Sequence, residues 1–321
     1  MRPLVVMAHF DPRGQVAPHV LRQLEAWQGV AQRVLLVTTA TIAADAEGDA
    51  VRAQVAERGA ELVERANYGY DFYSYKVGLD LVADKDEFDL VVICNDSYVG
   101  PLVPYRHVLD TMADHPVDAW GLTETMRRAR HVQSYFYAFR PWVVRSQAFT
   151  RFWSAMTPES DRMKVITKYE IGLSKAVLGG GFEIGSYFRE NDDDRRVARR
   201  RHLWWAAHRI PQQPKGSKIK ALKRFPFEPW NPMAALADRA LQDARLPIVK
   251  LDTLRYDPYQ LGADWLLTAC EQRYPREFAG VREFIERTSG TYTGRAGENR
   301  APTARPPWPA GALVGYQGAA R

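Results

Sequence analysis

Short apolar runs alternate with helically spaced repeats through the first hundred residues. Pro3 to Ala8 is apolar and stops at His9-Phe10-Asp11, which predicts a first strand. Val20, Leu21, Leu24 and Trp27 recur at helical spacing and predict an amphipathic helix over 17–28. Arg33 to Thr39 reads as a second strand, Asp49 to Arg58 as a helix stopped by Gly59, and Glu61 to Arg65 as a short third strand. A loop, Asn67-Tyr68-Gly69-Tyr70-Asp71, leads to a helix over Phe72–Ala83 and a fourth strand over 89–94. Strand and helix thus alternate four times, which argues for a parallel α/β sheet with right-handed crossovers. Strands covered on both faces are continuously apolar. Leu90-Val91-Val92-Ile93-Cys94 is such a run, and it ends abruptly at Asn95-Asp96-Ser97.

The pattern then becomes mixed. Pro101–Ala113, Ala148–Met156 and Thr167–Leu178 are predicted helices, the last closed by Gly179-Gly180-Gly181. Ala119–Thr123 is a short strand and His131–Val144 one long strand. Residues 189–224 are polar, basic and interrupted by proline, and read as a mobile excursion carrying Trp204-Trp205. Met233–Arg245 and Gly262–Arg273 are predicted helices, and the stretch from Ser289 has the composition of a disordered tail. The expected organisation is a catalytic α/β domain over 1–188, a basic mobile segment over 189–226, a helical extension over 227–288 packing on the same domain, and a tail over 289–321.

Composition narrows the function classes. The chain has 321 residues, 46% hydrophobic and 26% charged, as expected of a soluble globular protein. No apolar run approaches the ~20 residues that span a bilayer, and the N-terminal run is too short for a signal peptide. Cys94 and Cys270 make neither a disulfide framework nor a cysteine zinc site, which points to a reducing cytoplasm. The net charge of +6 is unevenly spread: from Arg189 to Arg224 there are 12 Lys/Arg against four Asp/Glu, or +8, leaving −2 for the rest. That segment is expected to meet an anionic partner. Trp204 and Trp205 favour a membrane interface, over residues 195–224. Nucleic acid is not expected, because the basic charge does not line the predicted cleft. A solvated basic loop is the plain alternative.

Ligands of parallel sheets bind beyond the carboxyl ends of the strands, so the candidate chemistry collects at one edge. His9 and Asp11 leave the first strand there, or merely begin a turn at Asp11-Pro12. Asp71 can accept hydrogen bonds from a base or ribose and Tyr70 can stack on it; the plain alternative is a helix cap. Asp96 can hold a phosphate through Mg²⁺ or Mn²⁺ with Asn95 or Ser97 beside it, since such ions need only one or two carboxylates plus substrate phosphates. A cation-independent site, balanced by Lys or Arg, is the alternative. Glu170 is either a general base on a rigid helix or a carboxylate placed by the dipole at a helix N-terminus. Glu124 is its rival as base. Strand alternation puts His131, Gln133 and Tyr135 on one face, so His131, Gln133 and nearby Trp120 are candidate acceptor or cleft residues.

His9-Phe10-Asp11, Asn67-Tyr68-Gly69-Tyr70-Asp71-Phe72 with Ser74-Tyr75-Lys76, Cys94-Asn95-Asp96-Ser97 with Gly100-Pro101, Trp120-Gly121-Leu122-Thr123-Glu124, Gln133-Ser134-Tyr135-Phe136 and Tyr169-Glu170-Ile171-Gly172-Leu173-Ser174 together resemble the rhamnan synthesis protein F family. Asn231-Pro232 and Pro247-Ile248-Val249-Lys250 continue the resemblance, which runs over residues 4–287. It implies a GT-A-like (Rossmann-like) parallel-centred mixed sheet flanked by helices. It also implies an inverting glycosyltransferase of bacterial cell-surface polysaccharide assembly. The implied donor is a nucleotide-sugar, dTDP-L-rhamnose favoured, and the implied acceptor a polysaccharide or lipid-linked glycan. A cytoplasmic protein, peripheral on the inner face of the membrane, fits that role. His9, Asp11, Tyr70, Asp71, Lys76, Asn95, Asp96 and Ser97 fall in the nucleotide-sugar pocket, Asp96 takes the metal and diphosphate position, and Glu170 the place of the base. The usual Asp-x-Asp signature is reduced here to Asn95-Asp96-Ser97. A non-catalytic protein that binds a nucleotide-sugar or glycan is the alternative.

Overall fold

A computed structural model describes residues 1–288 and 309–316. They divide into two compact units: Met1–Glu124 with Arg130–Tyr187, and Thr125–Ala129 with the chain from Phe188 onward.

The first unit is built on seven strands: β1 (Pro3–His9), β2 (Arg33–Thr38), β3 (Glu61–Glu64), β4 (Leu90–Asn95), β5 (Ala119–Gly121), β6 (Phe136–Phe139) and β7 (Ile184–Ser186). They are ordered β7-β5-β6-β4-β1-β2-β3. All neighbours are parallel except that β6 runs antiparallel to both β4 and β5. This is the mixed, parallel-centred α/β sheet that was expected. The reversal of β6 matters for the site, because the chain entering β6 starts from the edge at which the parallel strands end.

Six helices flank the strands: α1 (Pro18–Trp27), α2 (Ala46–Glu57), α3 (Tyr70–Asp80), α4 (Tyr105–Ala113), α5 (Gln147–Ser154) and α6 (Ile171–Gly179). Alternate residues of the buried strands feed two cores. Leu4, Val6, Val37, Val91 and Ile93 pack with Phe72, Leu79, Trp153 and Leu173 of α3, α5 and α6. On α1 and α4, Trp27 stacks on Tyr105 with ring centroids 3.9 Å apart. Gly78 lets α3 lie close over β1 and β2, since a Cβ there would fall 2.3 Å from the Val6 side chain. That approach carries the first turn of α3, with Asp71, to the sheet edge.

Two predicted elements break. The expected strand His131–Val144 is a two-residue strand at His131–Val132, a turn at Ser134-Tyr135, β6, and a helical turn Pro141–Val144. Pro141 at the first helical position stops the strand, as its ring favours that place. The predicted helix Met233–Arg245 is a turn at Pro232–Ala235 and a 3-10 segment at Ala237–Leu241. Asp243 and Ala244, both at φ 50°, cannot continue a right-handed helix.

In the second unit, most of residues 189–226, expected to be a mobile excursion, is helical, over Asp192–Arg209 and from Lys215 on. Helix α7 (Asp192–Arg209) starts in a capping box: Asn191 Oδ1 accepts from the Asp194 amide and Asp194 Oδ2 from the Asn191 amide. Its inward stripe, Asp194, Ala198, Arg201, His202 and Ala206, is mostly polar. Ion pairs satisfy it, so hydrophobic periodicity does not reveal it. Arg201 grips Asp238 through two bonds of 2.8 Å, and Arg239 and Arg245 each reach Asp194 at 2.6 Å. Trp205 stacks on His202 and Tyr259, and Trp204 lies on the His208 ring, so the tryptophan pair packs on its own unit. Of the expected tail, 289–308 and 317–321 lie outside the described residues. Ala310–Val314 is a helical turn, and Arg201 donates to the carbonyls of Val314 and Gly315 beside the buried Tyr316.

Candidate functional site

Strands β1, β2 and β4 end together at His9, Thr38 and Asn95. The polar residues just beyond them form a connected edge. His9 Nδ1 lies 2.8 Å from Thr38 Oγ1. Burial pushes the His9 ring down to about 4, so it is neutral at neutral pH. Asp11 is buried and takes the Arg13 amide at 2.8 Å. Asn95 donates its amide to Asp71 Oδ2 at 2.7 Å and accepts from the Ser97 hydroxyl at 2.6 Å, tying the end of β4 to the start of α3. Gly69, at φ 74°, makes that start possible: a Cβ there would fall 2.6 Å from Cβ of Tyr73.

Asp96 sits between these groups. The Phe10 amide donates to its Oδ2 at 2.8 Å, and its backbone carbonyl faces His19 Nε2 at 3.1 Å. It makes no ion pair with any described residue. Burial, and then the charges of Asp71 and Asp11, push its carboxyl up to about 8, and the Phe10 amide only partly opposes them.

Glu170 joins this edge through the chain that leads into β6. A π-helical turn, Val165–Glu170, joins the short helix Arg162–Lys164 to α6. Glu170 therefore lies within a continuous helical run capped at Asp161, and not at a helix N-terminus, which removes the dipole account of its position. Ser134 Oγ donates to Glu170 Oε2 at 2.7 Å, and His131 Nε2 lies 3.2 Å from Oε1. An unbroken strand would have sent His131 and Ser134 to opposite faces; the turn at Ser134-Tyr135 lets both reach one carboxylate. The buried Tyr75 lies at the centre. Its hydroxyl donates to the Ser134 carbonyl at 3.0 Å. Its pKa is driven well above normal by burial, and then by the charges of Asp71, Cys94, Asp96 and Glu170. Three acidic side chains thus lie within electrostatic reach of one phenol.

Several expected residues lie elsewhere. Lys76 turns along α3 to Asp80 at 2.8 Å. Glu124 pairs with Arg130 at 3.1 Å, which weakens it as a base. Trp120 is 2% exposed and packs on Phe136, so it is core and not an acceptor contact. Gln133 is buried and accepts from the Thr123 hydroxyl at 2.7 Å. Tyr70 is exposed, its hydroxyl donating to the Ser160 carbonyl at 3.3 Å. Sequence reading passed over Ser134, Tyr75 and Arg65. Arg65 holds the 65–70 loop through the carbonyls of Ala66, Tyr68 and Tyr70 and the Ser74 hydroxyl.

Residues 40–274 match the family described as Rhamnan synthesis protein F. Virulence protein VirA of Vibrio anguillarum is 29% identical over 124 residues, 37% of this chain and 39% of its own length. The protein y4gN of Sinorhizobium fredii is 28% identical over 195 residues, 59% of this chain and 49% of its own. The chain thus spans less than half the length of either curated relative. Among solved structures, S. aureus TarS 1-349 is 11% identical at a TM-score of 0.37, covering 92% of this chain and 93% of that one.

Proposed function

This chain belongs to the rhamnan synthesis protein F family, and we propose that it is an inverting glycosyltransferase of polysaccharide synthesis. The donor is a nucleotide-sugar, dTDP-L-rhamnose favoured, and the acceptor a lipid-linked cell-surface glycan. The supporting observation is that Asp71, tied to Asn95, Asp96, tied to Phe10, and Glu170, tied to Ser134 beside Tyr75, lie at the carboxyl edge of a parallel-centred sheet within electrostatic reach of one another.

Each residue has a task in this reading. Asp71, fixed by Asn95, accepts hydrogen bonds from the nucleoside. Asp96 is a partly buried carboxylate close to two others, Asp71 and Asp11. Among the described residues no group of three or more His, Cys, Asp or Glu is arranged to hold a metal. A site of one carboxylate completed by substrate phosphates suits Mg²⁺ or Mn²⁺, which bind in that way. Asp96 would hold such an ion, which when bound supplies positive charge to the departing diphosphate. Glu170 takes the acceptor hydroxyl proton as the acceptor oxygen bonds to the anomeric carbon. The bond from that carbon to the diphosphate oxygen breaks, and the nucleoside diphosphate leaves with the electron pair. Ser134 and His131 orient the base.

Replacing Glu170 by Gln keeps the Ser134 contact and removes the base. Transfer is expected to fall about 10²–10⁴-fold with donor binding retained, measured as release of nucleoside diphosphate in the presence of acceptor. Near-normal turnover would sink the assignment. A non-catalytic nucleotide-sugar binder is favoured by one observation: both Glu170 oxygens already have partners. That reading predicts donor binding with no diphosphate release by the native chain. A thermal-shift series of nucleotide-sugars with and without Mn²⁺ identifies donor and metal together, since a ligand of the native state raises apparent stability.

A further inference from the structure

Helix α8 (Lys218–Arg224) and the 3-10 turn Phe225–Phe227 turn large apolar side chains outward. Ile219 is 72% exposed, Leu222 59% and Phe227 74%. The inward side of the same stretch is already satisfied: Ala221 and Phe225 are buried against Ala206, with Trp205 and Ile210 beside them. The exposed residues are interleaved with Lys215, Lys218, Lys220 and Lys223, none of which makes an ion pair with a described residue. Arg224 is the exception, paired to Glu228 at 2.6 Å. Helix α7 continues the surface. Arg196, Arg200 and the exposed Leu203 share one face at helical spacing. Arg199 donates to the Pro226 carbonyl at 3.1 Å, which brings the basic side of α7 next to Phe227. From Arg195 to Arg224 there are 11 Lys/Arg and no Asp/Glu.

A nucleic-acid surface needs the cations but gains nothing from exposed Ile, Leu and Phe. An apolar protein contact is weakened by a ring of unpaired lysines. An anionic bilayer uses both, because cations meet the headgroups while apolar side chains enter the acyl boundary. No described helix is long and apolar enough to cross a membrane, so the contact is with its surface. We infer that the surface formed by α8, Phe227 and the outer face of α7 docks on the anionic headgroup layer of a lipid bilayer. Ile219, Leu222 and Phe227 enter it, and the unpaired lysines lie around them. This surface belongs to the second unit alone, and the inference stands whether or not the first unit transfers sugar.

The full chain is sedimented with vesicles of phosphatidylcholine alone, and of phosphatidylcholine mixed with phosphatidylglycerol, over a salt series. Binding only to the mixed vesicles is expected. Changing Lys218, Lys220 and Lys223 together to Gln is expected to weaken it at least about tenfold. Changing Ile219, Leu222 and Phe227 together to Ser is expected to spare binding at low salt and abolish it at high salt. All six positions face water or nearly so, and unchanged thermal midpoints confirm that both variants fold. Equal partition to the two vesicle types overturns the proposal, as does retention by both variants. Binding to duplex DNA tighter than to vesicles, and indifferent to the apolar changes, also overturns it and marks a nucleic-acid surface.

Discussion

Asp194 and Asp96 are two aspartates, one in each unit, whose carboxyl groups are pushed in opposite directions. Asp194 closes the capping box of α7 and receives Arg239 and Arg245, each at 2.6 Å. Burial works to raise its pKa, but the Arg245 and Arg239 hydrogen bonds more than offset this and hold it below the usual range. Asp96 has one backbone amide and two neighbouring aspartates, and is pushed up to about 8. The charge of Asp194 is answered by the protein's own guanidinium groups, and it holds a helix in place. Asp96 receives backbone amides but no cation among the described residues. Burial alone therefore does not set a carboxylate's charge state; the presence or absence of a resident cation does.

The comparison breaks first at Asp194. Changing it to Asn removes the nearest anion of the buried Arg239, which keeps Asp193 and Asp238 at 3.6 Å, and is expected to cost about 1.5–3 kcal/mol, measured by chemical denaturation. A loss no greater than that of an exposed substitution would remove the structural reading of this pair. Asp96→Asn sharpens the other side. Folded Asp96 holds its proton to about pH 8 while the unfolded group releases it near 3.8, so stability is lost as pH rises between these values. The neighbouring His9 has the opposite sign: it stays neutral down to about 4 when folded, against 6.5 unfolded, so its contribution is present above 6.5 and lost as pH falls toward 4. The slopes oppose one another below 6.5, and above it that of Asp96 remains. The thermal midpoint of the native chain is expected to fall from about pH 6.5 to about pH 8, and that of the Asn variant to fall less. Parallel curves would show that Asp96 is ionised throughout.

Smaller effects test the surroundings. Tyr316→Phe removes the hydroxyl that donates to the Ala234 carbonyl at 2.5 Å, and is expected to cost about 1 kcal/mol, seen as a lower thermal midpoint. Lys76→Met breaks only an i,i+4 pair with the exposed side of Asp80 and is expected to cost no more than about 0.5 kcal/mol. Donor affinity measured by calorimetry is expected to stay unchanged in that variant. A large loss of affinity would return Lys76 to the pocket from which its geometry removes it.

Much of the first unit was legible because its strands are buried on both faces and so read as unbroken apolar runs. Their ends were equally plain: Asp11 and Asp96 each follow such a run, Asp71 follows the half-exposed edge strand β3, and the structure brings all three to one edge. Helix α7 was not legible, since its inward stripe is Asp194, Arg201 and His202, whose burial depends on partners 37 to 51 residues away. The capping box at Asn191 was the one local signal for it. Trp204 and Trp205 misdirected the reading of that segment, because aromatic type does not say which side of a helix a ring takes. The membrane-facing candidates, Ile219, Leu222 and Phe227, became visible only once their exposure was known.

The sequence by itself determined the alternation of strand and helix, the polar ends of the strands and the family, because these rest on local periodicity and on motifs in order. Tertiary structure decided which of those polar residues lie together. The π-helical turn before α6 and the turn at Ser134-Tyr135 set Glu170 against His131 and Ser134. Ion pairing took Lys76 and Glu124 out of the group. Charge state followed the same division, since a pKa depends on everything within a few ångströms and so on contacts that no local stretch of sequence contains.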